Sequence, residues 1–244
     1  MSIFFYSLVN KTKIGLHKLI SSVVDPQSCL RCGSDANFIL CDSCLKIFFD
    51  PGFSIKRCSV CGKQLISEKD MCLNCRDEPL LLHTDSVYPV HPYRLWKKEL
   101  LFQWKINGNR TFSFTAASLY NQVLCSKYNT IPIVPVPPRP GKIFSKGWDQ
   151  MHDISKILHK MYGRTILYIL KRTEKKQQKK LTREERLHQM GHLYEIKKNL
   201  KYIPEEVVII DDIMTTGVTL ENCAELLKKA GVKKVHAVTL FIAD

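Results

Sequence analysis

Residues 207–220, Val-Val-Ile-Ile-Asp-Asp-Ile-Met-Thr-Thr-Gly-Val-Thr-Leu, restrict the fold more than any other stretch of the chain. Four consecutive aliphatic residues at 207–210 read as a strand buried on both faces, the habit of parallel sheets. Two carboxylates follow, then a small hydroxyl-and-glycine turn, then a helix beginning near Thr219. Such a turn offers free backbone N–H groups, hydroxyl donors and the positive end of a helix, which together suit a phosphate monoester. Gly217 allows a close backbone approach or a positive φ. Asp211 and Asp212 would repel a phosphate, so they point to hydroxyls or a divalent cation on the same ligand. Phosphate plus diol implies a sugar phosphate.

The same residues, Asp211 and Asp212 followed by Thr215, Thr216, Gly217, Val218 and Thr219, resemble the phosphoribosyl pyrophosphate (PRPP) signature of type I phosphoribosyltransferases. The resemblance implies that the acid pair holds the ribose hydroxyls at the reacting centre and that the loop holds the 5-phosphate, with Mg²⁺ accompanying PRPP. The competing reading is an ordinary strand–turn–helix unit with solvated acids at the strand end.

Eight of the ten cysteines form four Cys-x-x-Cys pairs: Cys29/Cys32, Cys41/Cys44, Cys58/Cys61 and Cys72/Cys75. Gly33 and Gly62 each follow a leading pair and suit the tight turn that aims N–H groups at sulfur. Tetrahedral zinc takes four soft ligands, and two such knuckles supply them. Disulfides are the alternative, disfavoured in a reducing compartment. The near-repeat favours sequential sites, 29/32/41/44 and 58/61/72/75, over an interleaved brace, and one or two structural ions are expected. Little else in residues 25–80 offers a core, so zinc is expected to supply the fold there. Cys223 sits at helical spacing with Leu220, Ala224 and Leu227 and reads as a core residue.

No apolar run approaches the length of a membrane span. The apolar start lacks a basic leader, so a cytoplasmic protein without membrane insertion is expected. The formal net charge is +14; two tetrathiolate zinc sites would lower it to about +10. Residues 171–201 carry eleven Lys or Arg against four Glu, a balance of +7. That run is a candidate surface for pyrophosphate or nucleic-acid backbone, and its bland alternative is a solvated loop. Basic residues around the cysteines, among them Arg57 and Lys63, either contact nucleic acid or offset thiolate charge.

Three segments follow: an amphipathic start (1–24), a double zinc-ribbon domain (25–80) and an α/β domain (81–244). Periodicity predicts helices over 93–105, 110–127, 149–162 and 219–230, the last stopped by Gly231. Strands are predicted at 131–136, 166–170, 207–210 and 235–242, with prolines placing the first at an edge. This alternation implies a mostly parallel sheet with flanking helices and a ligand loop at the carboxyl end of a strand.

The order of motifs is similar to the ComF family, double-zinc-ribbon proteins with a type I phosphoribosyltransferase-like domain that are linked to bacterial DNA uptake. It runs from the Cys-x-x-Cys domain through 102–108, 133–138, the segment from Lys146 to Gln150, Arg172 and residues 178–186 to the PRPP loop. Lys146 and Trp148 depart from the Arg and Phe usual in that segment, and Gln189 stands where an Asn is usual. Lys for Arg loses a bidentate fork on phosphate. The resemblance implies PRPP or a related ribose phosphate as ligand, single-stranded DNA as partner and a competence helicase as a candidate partner. Lys105, Arg139, Lys142, Lys146 and Arg172 are the candidate cations for pyrophosphate. Arg139 and Lys142 equally read as an exposed loop, and Lys105 as a snorkelling side chain. Two further readings stand beside the first: an active phosphoribosyltransferase acting on an unknown nucleobase or amine, and a zinc-dependent adaptor with a non-catalytic transferase fold.

Overall fold

The computed structural model describes residues 27–36, 38–77, 81–173, 193–198, 200 and 202–243. Contacts divide the chain into two compact units, residues 1–50 with 99–112, and residues 51–98 with 113–244. No helix among the described residues is long and apolar enough to cross a membrane.

In the first unit, β1 (Gln27–Ser28) pairs antiparallel with β2 (Asp35–Ala36), and helix α1 (Asp42–Phe48) follows. Cys41 caps α1, its sulfur accepting from the Cys44 amide. The expectation that residues near the cysteines lack a core is corrected here. Phe38, Ile39, Leu40 and Phe49 are buried, as are Leu100, Leu101, Trp104 and Phe112. Trp104 meets Phe112 edge-on at 5.2 Å between ring centroids, and Phe49 reaches the same ring at 6.3 Å. The aromatic stripe 50 residues downstream completes this core, and linear reading of residues 25–80 alone could not find it.

In the second unit a short helix, α2 (Leu73–Asp77), precedes strand β3 (Ser86–Pro92). Helix α3 (Trp96–Lys105) begins in this unit and ends in the first. Then come α4 (Phe112–Lys127), β4 (Ile133–Pro135), α5 (Lys142–Lys146) and α6 (Gln150–Tyr162). A small antiparallel pair, β5 (Leu170–Arg172) with β6 (Tyr194–Ile196), precedes β7 (Glu206–Met214), α7 (Val218–Lys229) and β8 (Lys234–Ile242). The main sheet has the order β3-β8-β7-β4 with every pairing parallel.

The centre of that sheet is the expected all-aliphatic strand. Val207, Val208, Ile209 and Ile210 have no exposed surface, so each contributes about 1.5–3 kcal/mol of burial. Val207 and Ile209 share one cluster with Leu220, Cys223, Ala224 and Leu227 of α7 and with Val235 and Ala237 of β8. Alternate residues turn to the opposite face, as strand geometry demands, and α6 packs on β7 and β4. Helices on both faces are why this strand shows no polar alternation. Prolines keep β4 and β3 at the two edges, since Pro135, Pro89 and Pro92 cannot donate to a ladder.

Candidate functional site

β7 continues past its aliphatic run through both acids, so the expected strand end at residue 210 lies four residues early. Asp211 is in register with Thr239 and Ile213 with Phe241 of β8. Asp211 and Asp212 are half-buried, Met214 is buried, and Thr215 and Thr216 are exposed in the turn. Gly217 then caps α7 at φ 81°, ψ −9°, and its carbonyl accepts from the Glu221 amide at 2.9 Å. No side chain caps this end of the helix, so the amides that follow Gly217, beginning with those of Val218 and Thr219, retain the donor capacity of a helix N-terminus. A Cβ on Gly217 would stand 3.0 Å from Leu81 Cδ2, so both conformation and space favour glycine.

The acids are braced from below. The Asp212 amide donates to Asp211 Oδ1 at 2.9 Å, and the Tyr120 hydroxyl donates to the Asp211 carbonyl. Burial raises the Tyr120 hydroxyl well above its ordinary range, and the charges of Asp211 and Asp212 push it further. Tyr120 therefore stays a neutral donor under the strand. Tyr194 of β6 lies on the other flank, its hydroxyl raised by burial and by Cys223 and Asp211, against Arg172 and a hydrogen bond to Thr219. The Arg172 guanidinium stands 5.5 Å from the Tyr194 ring centroid. Asp211, Arg172 and Thr219 thus gather around one tyrosine that sequence reading missed, because β6 is only three residues long.

The remaining candidates are distributed differently. The Val136 amide donates to the Ile210 carbonyl at 3.0 Å, so residues 137–139 leave β4 alongside the acid pair. Arg139 is exposed there. Lys142 donates to Asp149 Oδ2 and Gln150 Oε1, both at 2.6 Å, while Asp149 Oδ1 caps α6 by accepting from the His152 amide. The segment from 146 to 150 is therefore a loop lock, with Lys146 exposed and 5.5 Å from the Trp148 ring centroid. Lys105 closes α3 in the first unit. Most of the basic run, residues 174–192, with Gln178, Arg186, His188, Gln189 and His192, lies outside the described residues.

Two tetracysteine clusters form, Cys29/Cys32/Cys41/Cys44 and Cys58/Cys61/Cys72/Cys75, each with its sulfurs within 4.8 Å of one another. This is the sequential pairing. Cys32 and Cys41 sulfurs are 3.7 Å apart, as are those of Cys61 and Cys72. Tetrahedral zinc with bonds of about 2.3 Å separates neighbouring sulfurs by about 3.8 Å, so both donor sets fit that ion. The Cys41 amide donates to Cys29 Sγ at 3.3 Å, as in a zinc knuckle. Hydrogen bonds from Ser34 lower the Cys32 thiol to about 6, whereas burial raises Cys44 to about 12. Without a cation, four thiolates would not ionise together, and a divalent ion removes that conflict.

The second cluster is fastened to the sheet in its own unit. A Cβ on Gly62 would stand 2.2 Å from the Val87 carbonyl oxygen. Arg57 donates to the carbonyls of Gly62 and Pro89 at 3.1 and 2.7 Å and to Pro51 at 2.9 Å, with its guanidinium 4.2 Å from the Tyr88 ring centroid. This arginine braces the module. Beyond it, Glu221 of α7 clamps the following segment, accepting from the amides of Leu82 and His83 at 2.9 and 2.7 Å and from Thr84 Oγ1 at 3.1 Å. That clamp holds Leu81 against Gly217.

Residues 155–244 match the model of the phosphoribosyl transferase domain. The fold and site define a type I phosphoribosyltransferase-like α/β protein with an N-terminal cysteine-rich module of the zinc-ribbon kind. The chain is 27% identical to Competence protein ComFC of Streptococcus pneumoniae (strain ATCC BAA-255 / R6) over 227 residues, 87% of this chain and 98% of that protein. It is 26% identical to Competence protein F of Haemophilus influenzae (strain ATCC 51907 / DSM 11121 / KW20 / Rd) over 221 residues, 85% and 93% of the two chains. A hypoxanthine phosphoribosyltransferase structure from Staphylococcus aureus is 24% identical, covering 53% of this chain and 62% of that one, at a TM-score of 0.33. Both matches run over most of the chain and, with the domain match, support a place in the ComF family.

Proposed function

We propose that this chain is a cytoplasmic competence protein of natural DNA uptake that binds PRPP with Mg²⁺ and contacts single-stranded DNA. The observation that carries the reading is the junction of β7 and α7, where an acid pair, two exposed threonines and a positive-φ glycine lead directly into uncapped helix amides. Amides and hydroxyls at residues 215–219 would take the 5-phosphate, and Asp211 and Asp212 the ribose hydroxyls. Carboxylate oxygens are the donors Mg²⁺ prefers, and that ion would neutralise pyrophosphate charge together with Arg139, Lys146 and Arg172. Calorimetric titration with PRPP tests this directly. Binding should require Mg²⁺ and should fall at least tenfold in the Asp211→Ala/Asp212→Ala double variant, and unchanged affinity would reduce the chain to a zinc-dependent adaptor.

Single-stranded DNA rests on charge and on an exposed ring. Phe144 of α5 is 97% exposed, with Arg139 and Lys146 exposed nearby in sequence. Aromatic rings among cations stack bases while neutralising phosphates. DNA affinity should therefore fall with salt, and further when Lys175, Lys176, Lys179 and Lys180 are reversed in charge. A competence helicase is the protein partner this role calls for. The second reading, a working transferase, is favoured by a cavity that adjoins Thr215 and Thr216.

A further inference from the structure

A recess of about 160 Å³ opens where the second tetracysteine module meets the carboxyl ends of β3 and β8. It is smaller than the cavities that take whole small molecules, about 300–1,000 Å³, and suits a single chemical group. Arg57, Lys63 and Gln64 enter it from the module, where Arg57 and Gln64 form an antiparallel bridge. His91 comes from β3, and Arg94 from the chain just past that strand. Three cations therefore face one acid among the lining residues, Glu68. The Glu68 carboxylate accepts from the Ile66 amide at 3.2 Å, and backbone hydrogen bonds from 68 and 66 hold it below the usual carboxylate range.

The positive field of the recess is visible in its histidine. His91 is 5% exposed, and burial pushes its ring down to about 3, with the charges of Lys97 and Arg57 adding to the shift. It is neutral near pH 7 and contributes no charge. Arg57 is the fixed cation. Its two terminal nitrogens donate to the carbonyls of Pro51, Gly62 and Pro89, and no carboxylate among the described residues pairs with it. Carbonyl dipoles orient a guanidinium without cancelling its charge, and a half-buried cation without a counter-ion is costly. An anion seated in the recess offsets that cost.

We propose that the recess is a binding site for a phosphate monoester or free phosphate, separate from the turn after β7 and independent of what that turn holds. The match is one of size and charge. Such a group carries about −1.5 to −2 at neutral pH, against a lining of three cations and one acid. A carboxylate or a phosphodiester, with a single charge, would leave one net positive charge unmatched. The Arg94 guanidinium is a planar fork, and the Lys63 ammonium and Gln64 amide supply further donors. Lys63 and Ile242 also wall the cavity beside Thr215 and Thr216, so the recess adjoins that cavity without using the amides after Gly217. Free phosphate compounds and the 5′ end of a nucleic-acid strand both carry the group, and the chemistry recognised is the same.

Equilibrium dialysis of the zinc-loaded full chain with radiolabelled inorganic phosphate tests the assignment by stoichiometry. The parent should take up two equivalents, one at the recess and one at the turn, and the Lys63→Gln/Arg94→Gln variant one. One equivalent in the parent and none in the variant would remove the phosphate reading of the turn and leave the recess standing. Equal uptake by parent and variant, at any value including none, would overturn the proposal. Glu68→Gln should tighten the recess by about threefold, a gain that damage to the fold does not produce, and the absence of a gain would count against a charge-matched site. Zinc content and melting temperature of these variants should match the parent. Displacement of the label by acetate at a concentration equal to phosphate would mark a general anion surface and overturn the proposal as well. The source of the group is read from a 5′-phosphorylated oligothymidylate and its 5′-hydroxyl twin. Binding about tenfold tighter with the phosphate, lost in Lys63→Gln/Arg94→Gln, assigns the recess to a strand end. Equal binding of the two strands, with phosphate uptake at the recess intact, assigns it to a free phosphate compound.

Discussion

Two glycines of the cysteine repeat look interchangeable in sequence and are not interchangeable in the fold. Gly33 and Gly62 occupy the same knuckle position with nearly equal φ, 74° and 71°. Both amides donate to the carbonyl of the leading cysteine, at 2.8 and 2.9 Å. A Cβ on Gly33 meets nothing within 4 Å, whereas one on Gly62 would collide with the Val87 backbone at 2.2 Å. Gly33→Ala should therefore lose only the backbone preference, about 1 kcal/mol. Gly62→Ala adds a clash that only movement of the module away from β3 can relieve, and we expect a loss of about 3 kcal/mol or more. Urea denaturation of both variants, with zinc content measured alongside, checks the contrast. Equal losses would mean that the second module is not seated on β3. Arg57 illustrates the same point for charge. It counts as a basic residue near a metal site in sequence, yet its guanidinium is spent on three backbone carbonyls and a tyrosine face.

At the scale of elements, legibility followed periodicity and length. The amphipathic helices at 149–162 and 219–230 are foreseeable because each keeps one period over many residues, and the strand at 207–210 and the last strand because each is a nearly unbroken apolar run. β3 was not, since two prolines interrupt it and only its parallel pairing with β8 makes it a strand. The strand expected at 166–170 forms instead at Leu170–Arg172, and β6 carries no sequence signal, each being three residues that gain meaning only when paired. Of the site, the loop was legible and its supports were not. Tyr120, Tyr194, Leu81 and Glu221 come from four distant places in the chain and carry no local motif. The segment from 146 to 150 was read through its lysine, but its structural weight sits in Asp149, which is 3% exposed and both caps α6 and pairs with Lys142 at 2.6 Å. Asp149→Ala should cost about 2 kcal/mol, from the lost cap and the stranded lysine. Asp149→Asn keeps the cap and should recover about half. Thermal melts of the two variants measure this, and equal melting temperatures for Ala and Asn would show that the ion pair alone matters.

At the scale of the molecule, the two metal clusters belong to different units, and that division predicts different consequences of metal loss. Cys29, Cys32, Cys41 and Cys44 lie in the unit that has its own aromatic core of Phe49, Trp104 and Phe112. Cys58, Cys61, Cys72 and Cys75 lie in the unit of the parallel sheet, with Gly62 against β3 and the module lining the cavity beside Thr215 and Thr216. Metal analysis of the intact protein should give two zinc ions per chain, and a Cys32→Ser/Cys41→Ser variant should retain one. That variant should still titrate with PRPP as the parent does, because none of the altered groups belongs to the unit of β7 and α7. A Cys61→Ser/Cys75→Ser variant also retains one zinc, but it releases the wall that holds the opening beside the phosphate turn. Its sheet unit should unfold at lower denaturant, by several kcal/mol given the strength of structural zinc binding. If both double variants lost PRPP affinity equally, the two units would have to be coupled in function and the separation of roles between the clusters would be wrong.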